Sequence, residues 1–297
     1  MMRPLHRFWG FLFLGFLISY LQFTQPLYVE AIPVQQQTVF NSTLVYYRDN
    51  QDDDCGDNPA IQLGDFIKHT LPFEWTDSWA NVTGGDEALK AGAIAIRSWA
   101  LSASNSEIYA VNGQNYFCIK AWFPRLNFQP TANISPYIHS NTAVDDTDGI
   151  IMSHSVAPTI FGVKAIDAQF RTESGSVTLE YPSGPGDNKP WLKSIFDPIS
   201  VGNLASDENY GLGVLGSKRW AWGLDEQSNP YPRWDFRRIL AHYYTEVEFV
   251  GISPIPPNDR TNIAQIQGIP LDGGLTMCQG EADRTGYFSA LPKCGPK

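Results

Sequence analysis

The feature that most constrains the fold is a run of small and apolar residues between Asp86 and Leu101. Nearly every position in this run is apolar or small, and Lys90 and Arg97 are the two cations within it. Alanines favour the helix, and acidic residues at its start suit the positive end of a helix dipole. Because a helix that is apolar on all sides has to be covered by other elements, we expect a buried helix over residues 86–101.

The two cations of this helix leave two interpretations open. Lys90 and Arg97 are seven residues apart, which is two helical turns, so both are expected to point to the same side. Either the two side chains face a water-filled cleft, or they form ion pairs with neighbouring carboxylates. At the start of the helix, Thr83 or Asp86 is expected to act as the N-cap.

The segments around this helix show both helical and strand patterns. Apolar residues at helical spacing predict a helix over 63–71, which Pro72 is expected to end. Residues 43–47 predict a lead-in strand, and residues 105–200 predict short strands split by Gly, Ser and Pro. Residues 234–244 predict a last amphipathic helix. The fold class is therefore α+β, with the buried Ala-rich helix packed against a β-rich half and a cleft between them.

The N-terminus predicts export. Arg3 and Arg7 precede an apolar run over residues 8–23, which is the layout of a secretory signal. Residues 1–31 are thus a signal peptide cleaved after Ala31 or an uncleaved N-terminal anchor. Both alternatives place the rest of the chain outside the cytoplasm, in the cell envelope or secreted, with membrane contact only through an uncleaved N-terminal segment.

The composition predicts a packed core and argues against one class of partner. Hydrophobic residues make up 43% of the chain and aromatic residues 13%, which is enough to bury a sizeable core. The formal net charge is −10 at pH 7. Such a chain repels phosphate backbones, so no nucleic-acid partner is expected.

The cysteines predict disulfides and no metal site. The chain has four cysteines, Cys55, Cys118, Cys278 and Cys294. An even number favours disulfides in an exported chain, and four cysteines allow three pairings. Cys278 and Cys294 close a short loop in residues 251–297, an irregular C-terminal extension, and are the preferred pair. Cys55 and Cys118 are then the remaining pair. No Cys/His cluster has the spacing of metal ligands, so neither a metal nor another cofactor is predicted.

Six stretches of the chain follow one another in the order typical of a known family. The most specific are LPFEW at residues 71–75 and EALKAGAIAIRS at residues 87–98. The other four are residues 143–149, 167–178, 191–194 and 239–244. Together they resemble the stage II sporulation protein D / amidase enhancer LytB family of bacterial cell-wall proteins. The resemblance implies a SpoIID/LytB-like domain over residues 32–250.

The sequence also departs from the family pattern. Residues 211–221 stand where the family has GHGxGmSQxGA, and here Leu212 replaces the His and Lys218 replaces the Gln. Gly92 replaces the Gln in the family's ALKAQA stretch. The altered stretch at residues 211–221 favours a non-catalytic member of the family, whereas the retained Glu74 favours an enzyme.

The resemblance implies a function on peptidoglycan. Family members of the sporulation-D type are lytic transglycosylases, which cleave glycan strands with one carboxyl group acting as acid and then as base. Glu74, in the LPFEW stretch, is the candidate. Such a group has to be protonated near neutral pH, so its pKa has to be raised by partial burial. The simpler alternative is that Glu74 pairs with Lys90 or Arg97, or caps a turn.

The remaining site predictions concern binding. Lys90 and Arg97 are candidates to bind sugar-side oxygens, and Ser174 and Thr178 are candidates to line the cleft with hydroxyl groups. The expected partners are the glycan strands of peptidoglycan and, for a second function, a cell-wall amidase. LytB-type members are enhancers that raise the activity of an amidase without being enzymes, and this is the alternative function.

Overall fold

The long helix predicted from the sequence lies at the centre of the protein. A computed structural model describes residues 39–122, 126–182, 188–203 and 209–250. In it the central helix, which we call α3, spans Gly85–Leu101, and fourteen of its residues are buried. The prediction of a buried helix is confirmed.

The start of α3 differs from the prediction. Its N-cap is Gly84, with a φ of 89°, and no side chain caps the helix. A Cβ atom on Gly85 would lie 1.9 Å from the carbonyl oxygen of Trp79. Glycines are therefore required here by backbone conformation and close approach, and capping by Thr83 or Asp86 was wrong.

Two short helices replace the single helix that was expected before α3. Helix α1 spans Leu63–Lys68 and helix α2 spans Leu71–Glu74, with Pro72 in its first turn. A 3₁₀ helix, Asp77–Asn81, follows. Pro72 lies in the first turn of a helix here instead of ending one, because its fixed φ and its missing N–H are both tolerated in a first turn.

A four-stranded sheet packs beside these helices. Its strands are β1 (Leu44–Arg48), β2 (Ile61–Gln62), β3 (Ser106–Val111) and β4 (Gln114–Lys120), in the order β2-β1-β4-β3. Strand β1 runs parallel to β4 with Val45 opposite Phe117, and β3 and β4 form an antiparallel hairpin. Val45 and Phe117 are buried in the same core as α3, and the lead-in strand is confirmed.

The region over 105–200 is less regular than predicted. It contains the β3–β4 hairpin and two short strands, β5 (Ile151–Ser153) and β6 (Phe170–Arg171). Helix α4, Ile138–Asp146, interrupts it. Most other expected pairings are isolated bridges, such as Val177 with Phe196, because the frequent Pro and Gly residues keep the runs short.

The last part of the described chain returns to the centre. Strand β7 (Leu212–Gly213) runs parallel to β6, and helix α5 (Val214–Trp222) follows it directly. Helix α6 (Phe236–Tyr243) is the amphipathic helix predicted from the sequence, and β8 (Glu248–Val250) pairs with β5. This mixture of helices and sheets confirms the α+β class. The cleft between the halves stays a prediction.

A disulfide joins Cys55 to Cys118. It links the loop after β1 to strand β4, and it fits a protein that folds outside the cytoplasm. The carboxylate of Glu107 lies within 4.8 Å of both sulfur atoms, but the two sulfurs are bonded to each other and are not thiolate ligands. The preferred pair, Cys278 with Cys294, lies outside the described residues.

The two terminal segments also lie outside the described residues, namely the N-terminal segment over 1–31 and the C-terminal extension over 251–297. Within the described part of the chain, none of the helices has the length and apolar character that a membrane crossing needs.

Candidate active site around Glu74

Glu74 is the last residue of α2, and a distant loop holds its carboxylate. The backbone N–H of Asn127 donates a hydrogen bond to Oε1 of Glu74 at 2.7 Å. The side-chain amide of Asn127 donates to the carbonyl oxygen of Phe73 at 3.1 Å. Asn127 thus fixes both the carboxylate and the backbone that carries it.

Asn127 is itself held in place. The amide of Gln129 donates to Oδ1 of Asn127 at 2.8 Å, and the backbone N–H of Gln129 donates to the carbonyl oxygen of His69 at 3.0 Å. His69 lies between α1 and α2. The loop around residues 127–129 is therefore fastened to both short helices, which limits how far the Glu74 carboxylate can move.

The surroundings of Glu74 suit an acid. Burial raises the pKa of Glu74, and this outweighs the opposing effects of the Asn127 N–H and the positive charge of Arg171. A carboxyl group whose pKa is raised holds its proton to higher pH, which a general acid requires. Of the simpler alternatives, pairing of Glu74 with Lys90 or Arg97 has no support in these contacts, whereas the hydrogen bond from the Asn127 N–H also fits a structural role in holding a loop.

The raised pKa of Glu74 predicts how its removal changes stability with pH. The folded protein holds the Glu74 proton more tightly than the unfolded chain does, so this contribution to stability is fully present below about pH 4 and is lost as the pH rises through the folded-state pKa. We expect Glu74→Gln, which cannot ionise, to be more stable than the wild type at pH 7. Urea unfolding at pH 7 and at pH 4 measures this.

The difference between Glu74→Gln and the wild type should shrink towards pH 4. Glu180→Gln is the matched control, since the Glu180 side chain is 52% exposed and bonds to Lys193 on the surface. A difference that is the same at both pH values would contradict the raised pKa.

Trp75, the residue after Glu74, is anchored from three sides. Its side chain is fully buried, and its ring centroid lies 5.0 Å from that of Phe170. Its indole N–H donates to Oγ of Ser217 in α5 at 3.1 Å. A Cβ atom on Gly92 would lie 2.7 Å from the Trp75 ring. The glycine that departs from the family pattern therefore makes room for this indole.

The altered stretch at residues 211–221 reaches the same region through α5. Leu212, in the place of the family's His, is buried in β7. Lys218, in the place of the Gln, lies over the indole rings of Trp79 and Trp222, with Nζ 5.5 Å and 4.8 Å from their centroids. Lys218 thus contacts Trp79, in the segment that follows Glu74.

Arg97 is used inside the fold. Its side chain is 0% exposed, and its guanidinium donates to the carbonyl oxygens of Thr147 and Ile150 at 2.8 and 3.1 Å. It also donates to Asn41 Oδ1 at 2.9 Å and to the Val144 carbonyl oxygen at 3.2 Å. Burial lowers the pKa of Arg97 to about 10, so the group stays charged at neutral pH. These contacts support the structural interpretation of Arg97 and not contact with a sugar.

Lys90 also has partners within the protein. Its ammonium group lies 3.0 Å from Asp86 Oδ2 and 3.0 Å from Glu87 Oε1, in the first turn of α3. It lies 3.9 Å from Asp146 at the end of α4. Of the two interpretations left open by the sequence, the ion-pair interpretation describes Lys90.

Arg97→Met is expected to destabilise the fold by about 3 kcal/mol, because it leaves several buried carbonyl oxygens without donors. Urea unfolding measures the change. Arg238→Met, at a partly exposed arginine of α6, is the control and should change stability by less than about 1 kcal/mol. A variant with full stability and lost glycan binding would instead support the sugar-binding role.

Ser174 and Thr178 are buried, which does not support the expected role of hydroxyl groups lining a cleft. Oγ of Ser174 donates to Asp197 Oδ2 at 3.0 Å. Oγ1 of Thr178 donates to the Lys193 carbonyl oxygen at 3.1 Å and accepts from the Ile195 N–H at 2.9 Å. Both hydroxyl groups hold turns and short strand pairings together.

Asp197 is a buried centre that the sequence did not single out. It accepts from the hydroxyl groups of Tyr243 at 2.6 Å and Ser200 at 2.7 Å, and from the indole N–H of Trp220 at 2.9 Å. His242 Nε2 lies 3.3 Å from its Oδ1. Burial raises the pKa of Asp197, but these partners outweigh burial and lower it below the usual range. Asp197 therefore ties α5 to α6 as a structural anion.

These observations define the class of protein: an α+β protein with a buried central helix and a candidate site built on one half-buried glutamate. Residues 52–154 match the family described as SpoIID, stage II sporulation protein. The match confirms the resemblance predicted from the sequence over the segment that carries Glu74, α3 and Asn127. It relates the protein to sporulation and to the cell wall. No curated protein matches the chain.

Proposed function

We propose that this protein acts on the glycan strands of peptidoglycan in the cell envelope, and that Glu74 cleaves them in the manner of a lytic transglycosylase. The observation that carries the proposal is the half-buried Glu74, with its raised pKa and its carboxylate fixed by the Asn127 N–H. The family match over residues 52–154 supports the cell-wall context.

The proposed reaction needs one carboxyl group in two protonation states. Protonated Glu74 gives its proton to the glycosidic oxygen while the bond from that oxygen to C1 of muramic acid breaks. The resulting carboxylate then takes the proton of the C6 hydroxyl, whose oxygen forms a bond to C1 and closes an anhydro ring. No water is added, and Glu74 ends the cycle protonated as it began.

The contacts around Glu74 fit both steps. Burial favours the protonated form that is needed first. The Asn127 N–H and the positive charge of Arg171 favour the carboxylate that is needed second. The proposed cycle needs both protonation states of one group, and these opposing effects support each of them in turn.

The second candidate function is a non-catalytic enhancer of a cell-wall amidase. The specific observation that favours it is the altered stretch at residues 211–221, where Leu212 is buried and Lys218 lies over two indole rings. In this function the protein binds peptidoglycan or the amidase, and Glu74 carries out no chemistry.

One assay separates the two functions. The full exported chain is incubated with glycan strands that carry or lack stem peptides, and the products are analysed by mass spectrometry. Anhydro-muramic ends are expected from a transglycosylase. Their absence, together with faster turnover of a cell-wall amidase, would support the enhancer. A protein that binds no peptidoglycan would contradict both.

A further inference from the structure

Lys218 is a partly buried cation that lies over two indole rings. Its Nζ atom lies 4.8 Å from the ring centroid of Trp222 and 5.5 Å from that of Trp79. The indole N–H of Trp222 donates to the carbonyl oxygen of Trp79 at 3.2 Å, which keeps the two residues together. The faces of aromatic rings attract a cation at such distances. The rings therefore position the ammonium group without neutralising its charge.

The neighbouring carboxylates are bound by Arg219 instead. Arg219 donates to both oxygens of Glu173, at 3.0 and 2.7 Å, and also bonds to Glu226. Within the described ranges of the chain, no carboxylate lies at ion-pair distance from Lys218 Nζ. Burial, and then the charge of Arg219, lowers the pKa of Lys218. An anionic group on a ligand would therefore form the ion pair that no carboxylate of the described residues forms with Lys218.

Lys218 is also close in the fold to the segment that carries the candidate acid. Ser217 accepts the hydrogen bond of Trp75, the residue that follows Glu74. The next residue, Lys218, lies over Trp79 in the 3₁₀ helix that comes after it. Consecutive residues of α5 thus contact consecutive parts of the chain leading away from Glu74.

We propose that Lys218, held by Trp79 and Trp222, is a subsite for a carboxylate carried by the glycan. The inference rests on the proposed function in taking the ligand to be a glycan strand. A lysine at this position offers a positive charge that forms an ion pair with a carboxylate, whereas the neutral glutamine of the family pattern offers a hydrogen bond without that charge. The carboxylate comes from one of two sources, the lactyl group of muramic acid or the stem peptide.

The test measures binding and not cleavage. The probes are a tetrasaccharide of alternating N-acetylglucosamine and N-acetylmuramic acid with free lactyl carboxylates, the same tetrasaccharide with these groups converted to carboxamides, and the form that carries stem peptides. Each is titrated by calorimetry into the full chain carrying Glu74→Gln. Adding Lys218→Gln is expected to weaken binding of the probe whose carboxylate is recognised by about tenfold. Binding of the carboxamide probe should change less than about twofold.

Lys193→Gln is the matched control, because it removes the same charge from a lysine that already bonds to Glu180 at 2.6 Å. It should leave all affinities unchanged. The carboxylate probe that loses affinity when Lys218 is replaced by Gln identifies the source of the carboxylate. Equal affinity of the Lys218 protein for all three probes would overturn the proposal. Should Lys218→Gln unfold, the comparison of the carboxylate probes with the carboxamide in the unaltered Lys218 protein decides the matter.

The subsite and the proposed cleavage can fail separately. A Lys218-dependent preference for carboxylates without any anhydro-muramic product would support the subsite and contradict the proposed cleavage. Product formation without such a preference would contradict the subsite and leave the proposed cleavage supported.

Discussion

Replacing Glu74 by Gln is expected to lower the rate of anhydro-muramic product formation by about 10²- to 10⁴-fold. The amide oxygen of Gln can still accept the N–H of Asn127, so the shape of the site is kept. What is lost is the proton that Glu74 would give to the leaving oxygen and take back from the C6 hydroxyl. The rate is measured by mass spectrometry of the products at equal protein concentrations.

Glu180→Gln provides the matched control for this experiment. It makes the same chemical change at an exposed side chain, and the rate should stay within about twofold of the wild type. Sugar binding by Glu74→Gln should survive, since only proton transfer is removed. Product formation at the wild-type rate by Glu74→Gln would rule out the assigned role of Glu74.

Removing the Cys55–Cys118 disulfide is expected to lower the free energy of unfolding by about 4 kcal/mol. The two cysteines are 63 residues apart, and cross-linking a chain segment of that length restricts the unfolded ensemble by about this amount. The double variant Cys55→Ala/Cys118→Ala is compared with the wild type by urea unfolding under non-reducing conditions.

The same comparison in the presence of a reductant is the control. The wild type then also lacks the cross-link, so the two proteins should differ by less than about 1 kcal/mol. A difference of about 4 kcal/mol that persisted under reduction would mean that packing of the sulfur atoms, and not the cross-link, stabilises the fold.

The sequence predicted the centre of the fold well because that part depends on local pattern. A run of small and apolar residues specifies a buried helix wherever it occurs, and α3 spans Gly85–Leu101 as expected. The amphipathic pattern near the C-terminal end of the described chain likewise predicted α6. The short strands over 105–200 were harder, because frequent turn residues left only one or two paired positions in most of them.

The surroundings of Glu74 could not be predicted, because they come from distant parts of the chain. The hydrogen bond to Glu74 is donated by the backbone of Asn127, 53 residues away. A backbone N–H is present in every residue except proline, so the residue type does not predict this contact. Seven-residue spacing placed Lys90 and Arg97 on one side of a helix. It could not show that the guanidinium of Arg97 would be covered by carbonyl groups around α4.

The close approach of Trp75 to Gly92 makes substitutions at these two positions interdependent. A Cβ atom on residue 92 would lie 2.7 Å from the Trp75 ring and 2.8 Å from Cδ1 of Leu71, so a side chain there requires its neighbours to shift. A shift of the indole ring would in turn disturb its hydrogen bond to Ser217. The effects of substitutions at 75, 92 and 217 on stability are therefore expected to be non-additive.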